Sequence, residues 1–170
     1  VDALDPLAAT LARFLARELR SLRRELEAYP DDASLWALPP GLPNAGGTLA
    51  LHLAGNLRHY VGAVLGGTGY VRDRPAEFAA RGVPLAAVLA EVDAATADVQ
   101  ATLPRLTAED MARPYPEPIR DVDLETGTFL LQLLVHLGYH LGQLSYHRRL
   151  VTGDARGVDA LNPADLDSAL

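Results

Sequence analysis

A chain of 170 residues, 49% of them apolar and none of them cysteine, is long enough for one domain with a continuous core and no disulfide staples. Its formal charge of −7 opposes long-range attraction to nucleic-acid phosphates or anionic membranes. All 15 basic residues are arginine, so thiolate metal sites, cysteine nucleophiles and lysine Schiff bases are excluded together, and any metal must sit on nitrogen or oxygen.

The start, Val1-Asp2-Ala3-Leu4-Asp5, is acidic where a secretory signal is basic, and no apolar run approaches the roughly 20 residues of a membrane span. A cytoplasmic location is the expectation. With few aromatics and many Ala and Leu residues, the composition favours helix. The first helix is predicted from about Asp5 to Glu27, with Pro6 in its opening turn and Leu7, Leu11, Phe14, Leu15, Leu19, Leu22 and Leu26 at helical spacing. Arg13, Arg17, Arg20, Arg23 and Arg24 alternate with Glu18, Glu25 and Glu27, the pattern of a solvated helix face and not of a nucleic-acid patch.

Tyr29-Pro30-Asp31-Asp32 stops that helix. From Trp36 to Gly47 there are too many prolines and glycines for helix, and a loop of that length implies a crossover. Thr48 is the predicted N-cap of a second helix reaching about Leu65, with Leu49, His52, Leu53, Asn56, His59, Tyr60 and Ala63 on one broad face. Gly66-Gly67 ends it.

A third helix is expected from about Pro84 to Leu103, on the stripe Leu85, Val88, Leu89, Val92, Ala95, Val99 and Leu103. The stretch from Arg113 to Asp123 carries Pro114, Pro116 and Pro118, and its Ile119, Val122 and Leu124 suggest a short extended piece lining something. The fourth helix, about Thr126 to Val151, is apolar almost all round near its start and belongs in the interior, and Gly153 closes it. The polar tail, 153–170, reads as a final helical turn or a loosely held end. No repeat is evident. The whole reads as an all-α four-helix bundle with long crossover loops, one domain over 1–170 with its core at about 5–152.

All five histidines, His52, His59, His136, His140 and His147, fall on the second and fourth helices. His136 and His140 are one turn apart on one face, so two imidazoles can converge on one ion. His52 lies in an otherwise apolar context, where a lone imidazole needs a partner. Three neutral imidazoles suit zinc or nickel and leave open positions for water or substrate. The competing reading is that these histidines simply hydrogen-bond to the backbone or to each other. His59 and His147 lie two turns beyond their neighbours and either line the cavity or cap the bundle end. Asn56 and Gln143 share faces with His52 and His136 and are candidates to hydrogen-bond ligands or substrate. Tyr139 and Tyr146 are candidates for substrate contact or proton transfer, with packing as the simpler role. Ser145 beside His147 lacks the context of an activated nucleophile.

The segments His52-Leu53-Ala54-Gly55-Asn56-Leu57-Arg58-His59-Tyr60 and His136-Leu137-Gly138-Tyr139-His140-Leu141-Gly142-Gln143 resemble the second and fourth helices of the DinB/YfiT-like family, and the resemblance spans the chain in order. It implies a divalent metal on His52, His136 and His140. It also implies thiol-dependent chemistry, since family members with assigned activities include transferases and isomerases using bacillithiol, mycothiol or glutathione. It implies no chemistry on DNA.

The expected activity is a metal-dependent transfer of a low-molecular-weight thiol to an electrophilic small molecule. A metal-dependent hydrolase and a non-catalytic metal-binding or protein-interaction bundle are the alternatives. Broad apolar faces and the association of many relatives are compatible with a homodimer, although no interface is legible in the sequence.

Overall fold

The computed structural model describes residues 5–167, so the first four residues of the acidic start and the last three of the tail lie outside the described residues. Helix α1, Pro6–Glu27, opens on Asp5, whose carboxylate accepts from the Leu7 and Ala8 backbone N–H groups at 2.7 and 3.0 Å. A short α2, Asp32–Trp36, follows under an Asp31 cap. Helix α3, Gly46–Leu57, continues without a break into a π-helical stretch, Arg58–Leu65. Beyond it come α4, Arg74–Ala79, and α5, Leu85–Thr102, which ends in a 3-10 turn, Leu103–Arg105. The remaining helices are α6, Ala108–Ala112, the long α7, Thr126–Thr152, and a single turn, α8, Ala164–Asp167.

The four longest helices close a ring, in which α1 packs on α5 and α7 while α3 packs on the same two. The leucine and valine stripes read from the sequence supply the inward faces of α1, α3 and α5, including Leu15, Leu19, Leu22, Leu53, Val92 and Val99, and Leu137 and Leu144 face inward from α7, all at or near zero exposure. Ridges of such side chains interlock in an all-α core.

Several local expectations need correction. The second long helix begins at Gly46 and not after Thr48, whose hydroxyl is buried without a partner. The prolines around residue 116 give two isolated bridges, Pro114 with Glu125 and Ile119 with Val122, and no strand forms among the described residues. Of the three residues expected to line something there, Ile119 and Leu124 pack on the core, whereas Val122 is exposed. Tyr115 reaches inward instead. Its hydroxyl donates to the Tyr60 carbonyl at 2.7 Å and its ring packs on Phe129 at 4.5 Å. This satisfies a backbone oxygen in the π segment, where the wider turn breaks the ordinary i to i+4 ladder.

The charged face of α1 is also not uniformly solvated. Glu18 and Glu25 are buried, and Glu25 meets the buried Arg148 guanidinium of α7 at 2.5 Å. Arg148 further donates to the carbonyls of Asp154 and Arg156 at 3.3 and 2.7 Å. Arg24 pairs with Asp165 at 2.6 Å, and Arg20 donates to the Asp165 carbonyl. The alternating charges of α1 therefore hold the tail against the bundle, and its described part is anchored rather than loose.

Candidate metal centre

His52 of α3 and His136 and His140 of α7 meet across the α3–α7 interface. One nitrogen from each lies within 4.8 Å of the other two. The His52 and His136 Nε2 atoms are 3.2 Å apart. The rings stand nearly perpendicular, with centroids separated by 5.2 Å for His52 and His136, 5.4 Å for His52 and His140, and 4.6 Å for His136 and His140.

The hydrogen bonds behind these rings decide which nitrogens are free. The Glu77 carboxylate of α4 lies 3.3 Å from His52 Nδ1 and takes a two-pronged ion pair from Arg72 at 2.7 and 2.8 Å. Arg72 also approaches His52 Nδ1 at 3.2 Å, but a proton on Nδ1 directed at the anionic carboxylate makes the stronger, charge-assisted bond. His52 Nδ1–H thus donates to Glu77, and its Nε2 lone pair faces His136. On the other side His140 Nδ1–H donates to the Gln143 side-chain oxygen at 2.7 Å, freeing His140 Nε2. Phe78 packs on the His52 ring at 4.9 Å and fixes its plane.

The electrostatics agree with neutral, donor-ready imidazoles at His136 and His140. Burial, with the positive character of His140, His52, Arg72 and Arg120 nearby, pushes the His136 pKa down to about 4. Burial lowers that of His140 as well, against a raising contribution from Gln143. For Glu77, burial alone favours the protonated acid, but the hydrogen bonds from Arg72 and His52 outweigh it and hold the carboxyl below its ordinary value. Arg120 stands with Asp121 in a two-residue turn between Ile119 and Val122, both with positive φ, 51° and 64°. That turn ordinarily takes Asn-Gly.

This donor set fits a divalent ion. Metal-to-imidazole bonds of about 2.0–2.1 Å in a tetrahedron place ligand nitrogens roughly 3.3 Å apart, close to the 3.2 Å between His52 and His136 Nε2. Three neutral nitrogens backed by a carboxylate and an amide match the usual outer support of such a site. His136 Nδ1 is the exception, buried without a partner.

The other candidate residues divide. Gln143 joins the site through His140. Tyr139 is 65% exposed and packs edge-on against the His140 ring at 5.1 Å. Asn56 is buried on α3, one turn beyond His52. His59 lies about 10 Å along the helix axis from His52 and bonds Glu117 at 3.1 Å. His147 lies as far beyond His140 and closes the bundle end. Its Nε2–H donates to the Ala37 carbonyl at 2.9 Å, so its Nδ1 accepts from the Tyr29 hydroxyl at 2.7 Å.

Arg72, Glu77 and Phe78 were not singled out from the sequence. The available signal was Gly55, a glycine inside a helix one turn after His52. A Cβ there would lie 2.1 Å from Glu77 Oε1, so the missing side chain makes room for the carboxylate. Gly55→Ala is expected to displace Glu77 and weaken metal affinity about 10- to 100-fold with all three histidines intact, as competition with a chromogenic chelator would measure.

His147 carries a separate expectation. Burial lowers its pKa, partly offset by its bond to the Ala37 carbonyl. A histidine whose folded pKa is depressed contributes stability fully above its unfolded value of about 6.5, and that stability is lost as pH falls below it. His147→Gln should therefore cost about 1–3 kcal/mol at pH 7.5, and the gap from wild type should narrow at pH 5.5 in urea titrations. A gap that widened on acidification would contradict the buried neutral ring.

Leu42, Pro43 and Asn44 of the crossing loop, Leu49 of α3 and Gln143, Tyr146, His147 and Leu150 of α7 enclose an adjacent, mainly apolar cleft of about 360 Å³. Gln143 belongs to both the cleft and the histidine cluster.

No helix among the described residues is long and apolar enough to cross a membrane. No curated protein and no solved structure matches the chain. The family model of the DinB superfamily matches residues 14–144, a span holding all three clustered histidines together with Glu77 and Gln143. Carried by this match and by the all-helical fold, the chain belongs to the DinB superfamily.

Proposed function

We propose that this protein is a metal-dependent enzyme that transfers a low-molecular-weight thiol to an electrophilic small molecule, with zinc or nickel held by His52, His136 and His140. The observation that carries the metal is the convergence of three imidazoles, two of which have their free nitrogens selected by Glu77 and Gln143. A divalent ion there supplies Lewis acidity, which lowers the pKa of a thiol or water reaching its open positions.

The protein's own groups perform the positioning. Arg72 and Glu77 hold the His52 ring and its tautomer, Gln143 holds His140, and the Tyr139 ring packs against His140. The cleft beside Gln143 has the volume and apolar walls to lodge the carbon skeleton of a small acceptor. With neither cysteine nor lysine in the chain, the nucleophile comes from outside the polypeptide. A cytoplasmic location supplies such thiols.

The test begins with elemental analysis of protein purified without an affinity tag, which should find close to one zinc or nickel per chain. The loaded protein is then offered bacillithiol, mycothiol, glutathione and no thiol, each with an aromatic or epoxide electrophile. Turnover that requires one thiol supports the transferase, and turnover without any thiol assigns a metal-dependent hydrolase instead. A bound metal with no turnover on any pair would reduce the protein to a metal-binding module.

A further inference from the structure

On the side of the histidine cluster away from the apolar cleft, three polar side chains stand without partners among the described residues. Helices α3 and α7 run antiparallel, since Gly46 lies against His147, His52 against His136 and Tyr60 against Phe129. Asn56 follows His52 by one turn on α3, and Gln132 precedes His136 by one turn on α7. Both therefore share the faces of the clustered histidines, at one level about 6 Å along the axis from the rings. Neither carboxamide makes a hydrogen bond among the described residues. Asn56 is only 8% exposed, and a buried amide is normally paired. Its terminal atoms, unlike the Thr48 hydroxyl, are not sealed from solvent, so they open onto a space that a ligand can enter.

The third side chain is Arg120. The excursion 113–126 closes on itself at its neck, where the Thr126 N–H donates to the Arg113 carbonyl, and at its tip, between Ile119 and Val122. It lies over this level of the bundle. Tyr115 is tied to the Tyr60 carbonyl, Glu117 to His59 at 3.1 Å, and Ile119 packs on the core. Arg120 follows Ile119, close enough for its charge to act on His136. Asp121 and Asp123 flank it, yet it makes no hydrogen bond or ion pair with either or with any other described residue. Arg72, by contrast, is consumed by Glu77.

We infer that Arg120, Asn56 and Gln132 form the binding site for the carboxylate end of the thiol substrate, the guanidinium taking the carboxylate and the two carboxamides the adjoining amide. The identity of the ligand rests on the thiol-transfer reading above, and its charge on these residues. A planar guanidinium fork matches a carboxylate, and a carboxamide both donates and accepts, as an amide in the ligand requires. In a chain of charge −7, an unpaired cation beside neutral imidazoles is a local attractor for an anion. The two sides of the cluster then differ as the two substrates do. The apolar cleft beyond Gln143 suits the acceptor's carbon skeleton, and the polar side suits a thiol built like an N-acylated cysteine with a free carboxyl.

Amide NMR titrations of the full chain, zinc-loaded and metal-free, test it with N-acetylcysteine, sulfur-free N-acetylalanine and the neutral N-acetylalanine amide. Both acids should bind and shift the amides of Asn56 and Arg120, with the neutral amide at least 10-fold weaker. Arg120→Gln should weaken both acids about 10- to 100-fold and leave the neutral amide unchanged. Asn56→Leu should weaken all three about 10-fold while holding or raising the urea midpoint, because it removes an unpaired buried amide. Acids that bind no tighter than the neutral amide overturn the site. Equal binding of the acids by wild type and Arg120→Gln overturns it too, and a folded Asn56→Leu that binds as wild type removes the carboxamide from it. If the acids bind as expected but zinc gives N-acetylcysteine no advantage over N-acetylalanine, the carboxylate site stands and its assignment to a thiol falls with the transferase reading.

Discussion

His136→Ala, purified without an affinity tag, is expected to retain less than a tenth of the wild-type metal, with affinity lowered at least 100-fold. Its ring contributes the nitrogen 3.2 Å from His52 Nε2, and its loss leaves two ligands, too few for the three-protein-ligand arrangement of an open catalytic site. His52→Ala should behave in the same way for a different structural reason, because it also strands the Glu77–Arg72 pair built behind that ring. Both variants should keep the helical circular dichroism of the wild type, since the leucine core does not depend on them. Two variants with unchanged metal content would remove the metal centre, and metal loss accompanied by unfolding would recast the ion as structural.

Arg148→Met should lower stability by about 3–5 kcal/mol, because it leaves the Glu25 carboxylate buried without its counter-charge. Both partners are 1% exposed. The substitution also removes the donors that hold the carbonyls of Asp154 and Arg156, so protease cleavage beyond residue 153 should accelerate. The double variant Glu25→Leu, Arg148→Met should regain most of the lost stability, as buried ion pairs often tolerate apolar replacement of both partners, while the tail stays exposed to protease. Chemical denaturation separates the two effects. Equal stability of Arg148→Met and the double variant would show that the stranded Glu25 carboxylate is not the source of the loss.

His136-x3-His140 was legible as a pair because one helical turn fixes their spacing, and His52 because an imidazole among leucines lacks a partner. Their meeting was an inference from resemblance. Glu77 could not be read in the same way. It sits 25 residues from His52 on a six-residue helix, too short to show periodicity, and its approach depends on the gap left by Gly55. The burial of Glu25 was likewise hidden, since within α1 it alternates with arginines as a surface residue does, and its partner Arg148 lies 123 positions away.

The amino-acid order alone therefore determined the long helices, their inward stripes and the near absence of charge along α7, because these are local properties governed by a 3.6-residue period and by breakers such as proline and glycine. Only the packed chain decided which polar groups face one another. Distance between remote segments is set by the closing of the core, and that closure turned a glycine, a short helix and an arginine–glutamate pair into the support of the histidine cluster.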